Sequence, residues 1–141
     1  MALLSANIIL CETVLWEEPP TSGGGKVPTA IRMMSAITVA RGNSTARFFS
    51  VTFVSSQPGD FEQHQLRIQV TDRNLRLIAQ ANDWPFQFGY LLDPSGPGGF
   101  TLTTEFNIDV TPYQLPLHCL VSAFVDGQTV ARAPIMLRRL V

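Results

Sequence analysis

Charged side chains are scarce in this chain. Asp, Glu, Lys and Arg make up only 15% of the 141 residues, and ten basic residues nearly balance eleven acidic ones. The charges are spread along the sequence, and Arg138 with Arg139 is the only adjacent basic pair. A protein that binds a phosphate backbone needs a concentrated basic surface. We therefore expect no nucleic-acid partner.

Cysteine is rare, and no apolar run is long. Cys11 and Cys119 cannot build the disulfide framework of a small secreted protein, although they could form one bridge if their strands were neighbours. The preferred interpretation is that both are buried thiols that pack as small hydrophobic groups. No segment approaches the ~20 apolar residues of a membrane span, and the apolar start lacks the basic residues of a signal peptide. We expect no membrane association and a cytoplasmic location.

Recognisable catalytic and metal-binding motifs are missing as well. The sequence has no G-x-S-x-G elbow, no Walker loop and no G-x-G-x-x-G after a strand. The possible zinc ligands show no C-x-x-C or H-x-x-x-H spacing; they are His64, His118, Cys11 and Cys119. His118 and Cys119 are neighbours on a predicted strand, so they must point to opposite faces. We expect no catalytic residues, no enzyme activity, no cofactor and no metal.

Acidic residues instead gather in or beside turns. Calcium-binding sandwich domains often arrange acids in this way, but no loop here holds the six to eight oxygen ligands that calcium takes. Aspartate also favours turns because its carboxylate bonds to nearby backbone. A role in turns is therefore the expected one for Asp72, Asp93 and Asp126. The full set in or beside turns comprises Asp60, Glu62, Asp72, Asp83, Asp93 and Asp126.

What the sequence does contain is strand-like alternation, most clearly at residues 100–110. Every second position from Phe100 to Val110 is apolar except Thr104, while the positions between them are Thr, Glu, Asn or Asp. Side chains alternate across a strand, so one face is apolar and the other is wet. This pattern is typical of an antiparallel sheet that is packed on one side.

Turns rich in Gly, Pro, Asn and Asp divide the rest of the chain into similar short runs. One run, 30–40, would also suit a short helix, because Met33, Met34 and Ala36 lie within it. The run at 66–71 turns tightly at Asp72 into the run at 75–81, which predicts a hairpin. The remaining runs are 4–15, 47–54, 84–90, 117–125 and 128–137.

The last two runs give the clearest hairpin signal. Asp126 and Gly127 alone separate them, and Asp-Gly suits a type I′ turn because both central residues need a positive φ. Pro134 late in the final run favours an edge strand, where a missing N–H breaks no ladder. The register implied by the turn pairs Ala123 with Val130, Phe124 with Thr129, and Cys119 with Pro134.

About eight strands that each have one apolar face cannot all bury that face in a single flat sheet. Two sheets stacked over one core solve that problem. The sequence therefore predicts one domain, 1–141, that is an all-β, two-sheet antiparallel β-sandwich of about eight strands with a C-terminal hairpin.

Four aromatic residues on one parity make the main candidate binding site: Trp84, Phe86, Phe88 and Tyr90. Such a stripe could be a stacking platform for a sugar or a partner peptide. The same side chains could instead fill the sandwich core, where aromatics supply the largest buried area. A place in the core is the preferred interpretation. Pro85 within the stripe favours an edge position.

The layout resembles a family of small, uncharacterised bacterial β-sandwich proteins of about this length. The resemblance is carried by a first strand that closes on Leu10-Cys11-Glu12, a Gly-Gly-Lys loop, a strand from His64 to Thr71 that turns at Asp72, and the final hairpin around Val125-Asp126-Gly127. Pro116-Leu117-His118 departs from the family pattern ahead of that hairpin. The resemblance implies the fold and no activity.

These observations favour a non-enzymatic interaction module that binds a protein partner or associates with itself. Its contact surface would be an exposed sheet edge or the aromatic stripe. The alternative is a small-ligand or carbohydrate binder that uses the same stripe. A hydrolase built on His118, Cys11 or the loop acids is the least favoured hypothesis.

Overall fold

The computed structural model describes residues 4–17, 27–89 and 96–140. These ranges form ten strands and no helix. The strands are β1 (Leu4–Glu17), β2 (Val27–Met33), β3 (Ala36–Val39), β4 (Thr45–Ser56), β5 (His64–Asp72), β6 (Leu77–Gln80), β7 (Trp84–Phe86), β8 (Gly99–Asp109), β9 (Leu117–Val125) and β10 (Gln128–Arg139). Within the described ranges, nothing forms a helix long and apolar enough to cross a membrane.

The strands form two sheets that pack face to face, which confirms the predicted β-sandwich. Sheet A has the order β2-β1-β4-β8, and sheet B has the order β3-β10-β9-β5-β6. The short β7 also pairs with β5, at Leu66 and His64, and so continues the edge that β6 begins. Pro85 lies in β7, so its predicted edge position is confirmed.

The run at 30–40 forms two strands that belong to different sheets, and the helix alternative for it is wrong. β2 pairs with β1 in sheet A, whereas β3 pairs with β10 in sheet B. The crossing lies at Met34 and Ser35, where the Met34 N–H donates to Leu10 O and Ser35 O accepts from the Met136 N–H. β3 runs parallel to β10, so the sandwich is antiparallel everywhere in the described part except at this pair.

The core lies between the two sheets and follows the predicted alternation. Phe106, Ile108 and Val110 are buried, while Glu105 and Asn107 on the other parity are exposed. Sheet B contributes an apolar layer from β5 and β9, consisting of Leu66, Ile68, Val70, Val121, Ala123 and Val125. Each large side chain buried in this way stabilises the fold by about 1.5–3 kcal/mol.

The C-terminal hairpin forms as predicted at its turn. Asp126 and Gly127 have φ values of 50° and 82°, as a type I′ turn requires. Beyond the turn the register was predicted only in part. Phe124 pairs with Thr129, but a register shift between Thr129 and Ala131 makes Ala131 the partner of Ala123.

Because of this shift, two other predicted pairs are wrong. Val130 occupies an extra position in the strand, so it does not pair with Ala123, and Cys119 pairs with Ile135 rather than Pro134. Pro134 lies in a strand that has neighbours on both sides, so the predicted edge strand is wrong for β10 as a whole. However, β3 pairs only with residues 136–139 of β10, so no residue of β3 lies opposite Pro134.

The two cysteines lie in different sheets, as the preferred interpretation of two separate buried thiols requires. Cys11 lies in sheet A and Cys119 in sheet B, both are buried, and no disulfide joins them.

β5 and β6 form the predicted hairpin. The Asp72 carboxylate closes its turn, because Oδ1 accepts from the backbone N–H groups of Asn74 and Arg76 at 2.8 and 2.9 Å.

Candidate functional site

The aromatic stripe does not form one exposed surface. Phe86 and Phe88 are buried in the core, with 5% and 6% of their area exposed, whereas Trp84 is 51% exposed. Tyr90 lies outside the described residues. Trp84 and Phe86 lie on the same parity within β7 but differ in burial, so the parity of the sequence does not mark one exposed surface. The preferred core interpretation holds for Phe86 and Phe88, and of the described aromatics in the stripe Trp84 is the exposed one.

A group of apolar side chains lies on the outer face of sheet A, the face that points away from sheet B. Cys11 pairs with Met33 on one side and Phe49 on the other, and Val51 and Phe53 follow on the same face of β4. Met33 is 71% exposed and Phe53 38% exposed. Val51 and Cys11 are buried beneath their neighbours although they lie outside the core cluster. Where β1, β2 and β4 meet, the outer face of sheet A therefore carries apolar side chains instead of the polar ones expected of a solvent-facing surface.

Polar contacts flank this surface at the β8 side. The Arg47 guanidinium lies 5.5 Å from the centre of the Phe49 ring, and its Nε is 2.7 Å from a Glu105 carboxylate oxygen. Thr103 lies next to Val51 on the same face, and its hydroxyl oxygen is buried with no hydrogen-bond partner in the described part of the chain. Buried hydroxyl groups normally find a partner.

Within the described ranges, no strand pairs along the outer edge of β8. β8 is the last strand of sheet A, and the pairing found on its other side in the described ranges is a single bridge between Gly99 and Gly89. The Gly98 and Val110 backbones bond toward β4, while Gly99 bonds outward to Gly89. Because backbone direction alternates along an antiparallel strand, odd-numbered residues point their N–H and C=O groups outward. We call the outward backbone of Thr101, Thr103, Glu105, Asn107 and Asp109 the β8 edge.

The second candidate site is built around His64, at the start of β5. Its Nδ1 donates to Asp126 Oδ2 at 2.6 Å, and its Nε2 lies 2.9 Å from both carboxylate oxygens of Asp60. Asp126 is itself fixed, because its Oδ1 accepts from the Gln65 N–H at 2.9 Å. The hairpin turn of β9 and β10 thus supplies one side of the cluster, and the chain just before β5 supplies the other.

The imidazole ring is enclosed by aromatic side chains. The Phe86 and Phe88 rings have their centres 5.5 and 5.3 Å from the centre of the His64 ring. His64 is only 6% exposed, and the Asp60 side chain only 7% exposed, whereas Asp126 is half exposed. Two of the predicted stripe residues therefore hold this histidine instead of forming a platform.

Charge in the cluster favours a protonated ring. Burial lowers the pKa of His64, but the hydrogen bonds that its ring donates to Asp126 and Asp60, together with their negative charges, raise it more, so the pKa lies above its ordinary value. Burial raises the pKa of Asp126, yet the bonds from His64 and Gln65 outweigh it and lower that pKa. Both ring nitrogens are engaged, so neither is placed to activate a nucleophile.

A third acid completes the cluster. Asp60, Glu62 and His64 lie at every second position of the chain that leads into β5, and their ligand atoms all come within 4.8 Å of one another. The sequence suggested no such group, because no motif spacing covers it and because Asp126 is 62 residues from His64. The alternation of Asp60, Glu62 and His64 was the local signal available.

No family model matches the sequence, and no curated protein matches it. Several solved structures resemble the fold, among them one DNA glycosylase and two glycoside hydrolase family 2 proteins. The AlkC alkylpurine DNA glycosylase of Pseudomonas fluorescens, bound to DNA containing an abasic site analogue, is 12% identical over 95% of this chain and 30% of that chain, with a TM-score of 0.47.

Two more of these similar structures are glycoside hydrolase family 2 proteins. A member from Bacteroides cellulosilyticus is 12% identical over 66% of this chain and 12% of that chain, with a TM-score of 0.45. A β-glucuronidase is 16% identical over 74% of this chain and 12% of that chain, with a TM-score of 0.47. The chain spans less than a third of each of these proteins, and at these values the likenesses carry no argument about function.

Proposed function

We propose that this protein is a non-enzymatic interaction module that associates with a second copy of itself through the β8 edge. The observation that carries the proposal is the row of five residues whose backbone donors and acceptors point outward from β8. Open edges of this kind readily pair with another strand. Proteins usually protect them with Lys, Pro or bulges, and β8 contains neither residue and pairs with β4 without a register shift.

Antiparallel pairing of two β8 edges has a preferred register. Pairing centred on Thr104 places Thr103 opposite Glu105, so that a hydroxyl meets a carboxylate. Centring on Glu105 would instead place two glutamates directly opposite, which is destabilising. The Thr104 register brings four of the five outward residues of each copy into bonded pairs, for about eight new backbone hydrogen bonds.

The same register extends both faces of sheet A. On the inner face it sets Leu102 beside Phe106 and Phe100 beside Ile108, so apolar side chains continue across the seam. On the outer face it supplies a partner for the buried Thr103 hydroxyl, which has none in the described part of one copy. A two-fold axis through the Thr104 pair makes the interface self-complementary.

Sedimentation velocity across a wide concentration range tests this proposal. We expect a monomer–dimer equilibrium, with slower amide exchange at Thr101, Thr103 and Glu105 as dimer accumulates. The variant Thr103→Pro removes an outward N–H and places a ring at the edge without breaking a bond to β4. We expect that variant to remain folded and monomeric.

A matched control is Thr38→Pro on the outer edge of sheet B, where β3 is the last strand in the described ranges. Ser35 and Val39 accept bonds from β10, so the Thr38 N–H points away from that strand. We expect this variant to dimerise like the original chain. A strict monomer at every concentration would overturn the proposal. So would a monomer whose β8 amides are protected only when an extended peptide of another protein is added.

A further inference from the structure

We infer that Asp60, Glu62 and His64 form a binding site for a divalent transition-metal ion, with Asp126 holding the histidine in position. The site is independent of the β8 edge. It combines one imidazole nitrogen with two carboxylates, the mixed donor set that Zn²⁺ and its first-row neighbours take. It supplies too few oxygens for a calcium site.

The ring of His64 is already oriented as a metal ligand would be. Metal-bound histidines almost always donate their second ring N–H to a carboxylate or carbonyl, which fixes the tautomer. Here Nδ1 donates to Asp126 at 2.6 Å, so Nε2 is the nitrogen turned toward Asp60. The Phe86 and Phe88 rings pack against the imidazole and prevent it from turning away.

The carboxylate of Asp60 is positioned at the same point. Both of its oxygens lie 2.9 Å from Nε2, and its side chain is 7% exposed. Two donors on one tetrahedral ion are about 3.4 Å apart, so a shift of roughly half an ångström opens the space for an ion. Oδ1 of Asp60 also accepts from the Glu62 N–H at 3.1 Å, which holds these two acids together.

Glu62 supplies the third donor from the solvent side. It is exposed, and its carboxylate can approach the ion without disturbing the core. An ion bound by His64, Asp60 and Glu62 would keep a fourth position for water, because a site with three protein ligands is open. On binding, the ion takes the place of the proton between Nε2 and Asp60, and that proton passes to solvent.

Thermal unfolding with Zn²⁺ alone, followed by Co²⁺ absorption spectroscopy, tests the inference. Binding to the folded state must stabilise it, so we expect the melting temperature to rise by roughly 5 °C at saturating Zn²⁺. Bound Co²⁺ should give the visible bands of a low-coordinate nitrogen and oxygen site. Glu62→Gln changes an exposed side chain and should leave the fold intact while weakening affinity at least roughly tenfold.

Two further variants separate a built site from adventitious binding. Asp126→Asn keeps an oxygen near the Gln65 N–H but weakens its hold on the ring, and should reduce affinity roughly tenfold or more. His118→Gln removes the chain's other histidine, which is exposed, and should change nothing. The inference is overturned if Zn²⁺ gives no stabilisation. It is also overturned if His118→Gln abolishes the effect while Glu62→Gln preserves it.

Discussion

Ala131 pairs with Ala123 across the C-terminal hairpin, one residue out of the register that Thr129 and Phe124 set. The shift decides which side of β10 faces the core. Partners in a ladder share a face, so Ile135 and Leu137 point inward with Cys119 and Leu117. An unshifted register would turn Arg132 and Arg138 inward instead. One extra residue therefore keeps two charges out of the core.

Deleting Ala133 should prevent folding for this reason. Without that residue, the hairpin must either turn Ile135 and Leu137 away from the core or give up the extra position at Val130 and bury Arg132, and an unpaired buried charge costs several kcal/mol. Far-ultraviolet circular dichroism and thermal unfolding would report loss of a cooperative transition. Deleting Val130 is the control, because Thr129 and Ala131 then follow one another opposite Phe124 and Ala123, and that variant should unfold cooperatively. A folded Ala133 deletion variant would show that this register is not needed.

Truncating Phe48 should cost far more than truncating Phe53. Phe48 is fully buried, and its ring centre lies 5.4 Å from that of Phe106. Phe48→Ala leaves a cavity and should lower the free energy of unfolding by about 3–5 kcal/mol. Phe53→Ala, on the partly exposed outer face, should lower it by about 1 kcal/mol or less. Urea unfolding at low protein concentration measures both, and equal losses would contradict this assignment of faces.

Substitutions in the aromatic stripe should separate Trp84 from Phe86. Phe86 stacks on Phe100 with ring centres 4.3 Å apart and also contacts His64, so Phe86→Ala should destabilise by about 3 kcal/mol or more. Trp84 is half exposed, and Trp84→Ala should leave a stable fold. Thermal unfolding distinguishes the two. A stability loss at Trp84 as large as that at Phe86 would place Trp84 in the core as well.

Gly127→Ala should be destabilising without any steric clash. A Cβ at this position would meet nothing within 4 Å, but φ is +82°, where an L-residue is strained by about 1–2 kcal/mol. Gly99→Ala is the matched control, because it too has open space and lacks a positive φ. That variant should stay within about 0.5 kcal/mol of the original chain. Similar losses for both variants would mean that φ is not the cause.

The thiol of Cys119 should react slowly in the folded protein. Burial, with a smaller contribution from the negative charge of Asp72, raises the pKa of Cys119 to about 11. The thiolate is the reactive form, so little of it exists at neutral pH. Alkylation by iodoacetamide, followed by mass spectrometry, should be slow before unfolding and rapid in denaturant. Rapid labelling of Cys119 in the native state would contradict its burial.

The parts of the fold that local pattern controls could be predicted from the sequence. The alternation from Phe100 to Val110 and the Asp126-Gly127 turn depend on neighbouring residues, and both predictions were confirmed. The shift at Val130 could not be predicted, since Val130 and Ala131 are both apolar and either could face Ala123. Packing across the whole strand decides between them.

The candidate site was harder to predict because distant segments create it. His64 and Asp126 meet only after β5 and β9 pair, and a search for motif spacing misses such a contact. The stripe was misleading for a related reason. Parity predicts which residues share a face of a strand, but it does not predict how far distant segments cover that face, and within β7 Phe86 is buried while Trp84 is half exposed.

The crossing at Met34 and Ser35 has a consequence for synthesis of the chain. β3 finds its partner in β10, and the hydrogen bond from Arg138 to Thr38 spans 100 residues. Until β10 leaves the ribosome, Ile37 and Val39 have no sheet to join, although β1, β2, β4 and β8 can already assemble. Contacts between such distant residues form slowly. Sheet A can therefore be complete before β3 has a sheet to join, and the part of its apolar inner face that β3 and β10 cover stays exposed until β10 is made.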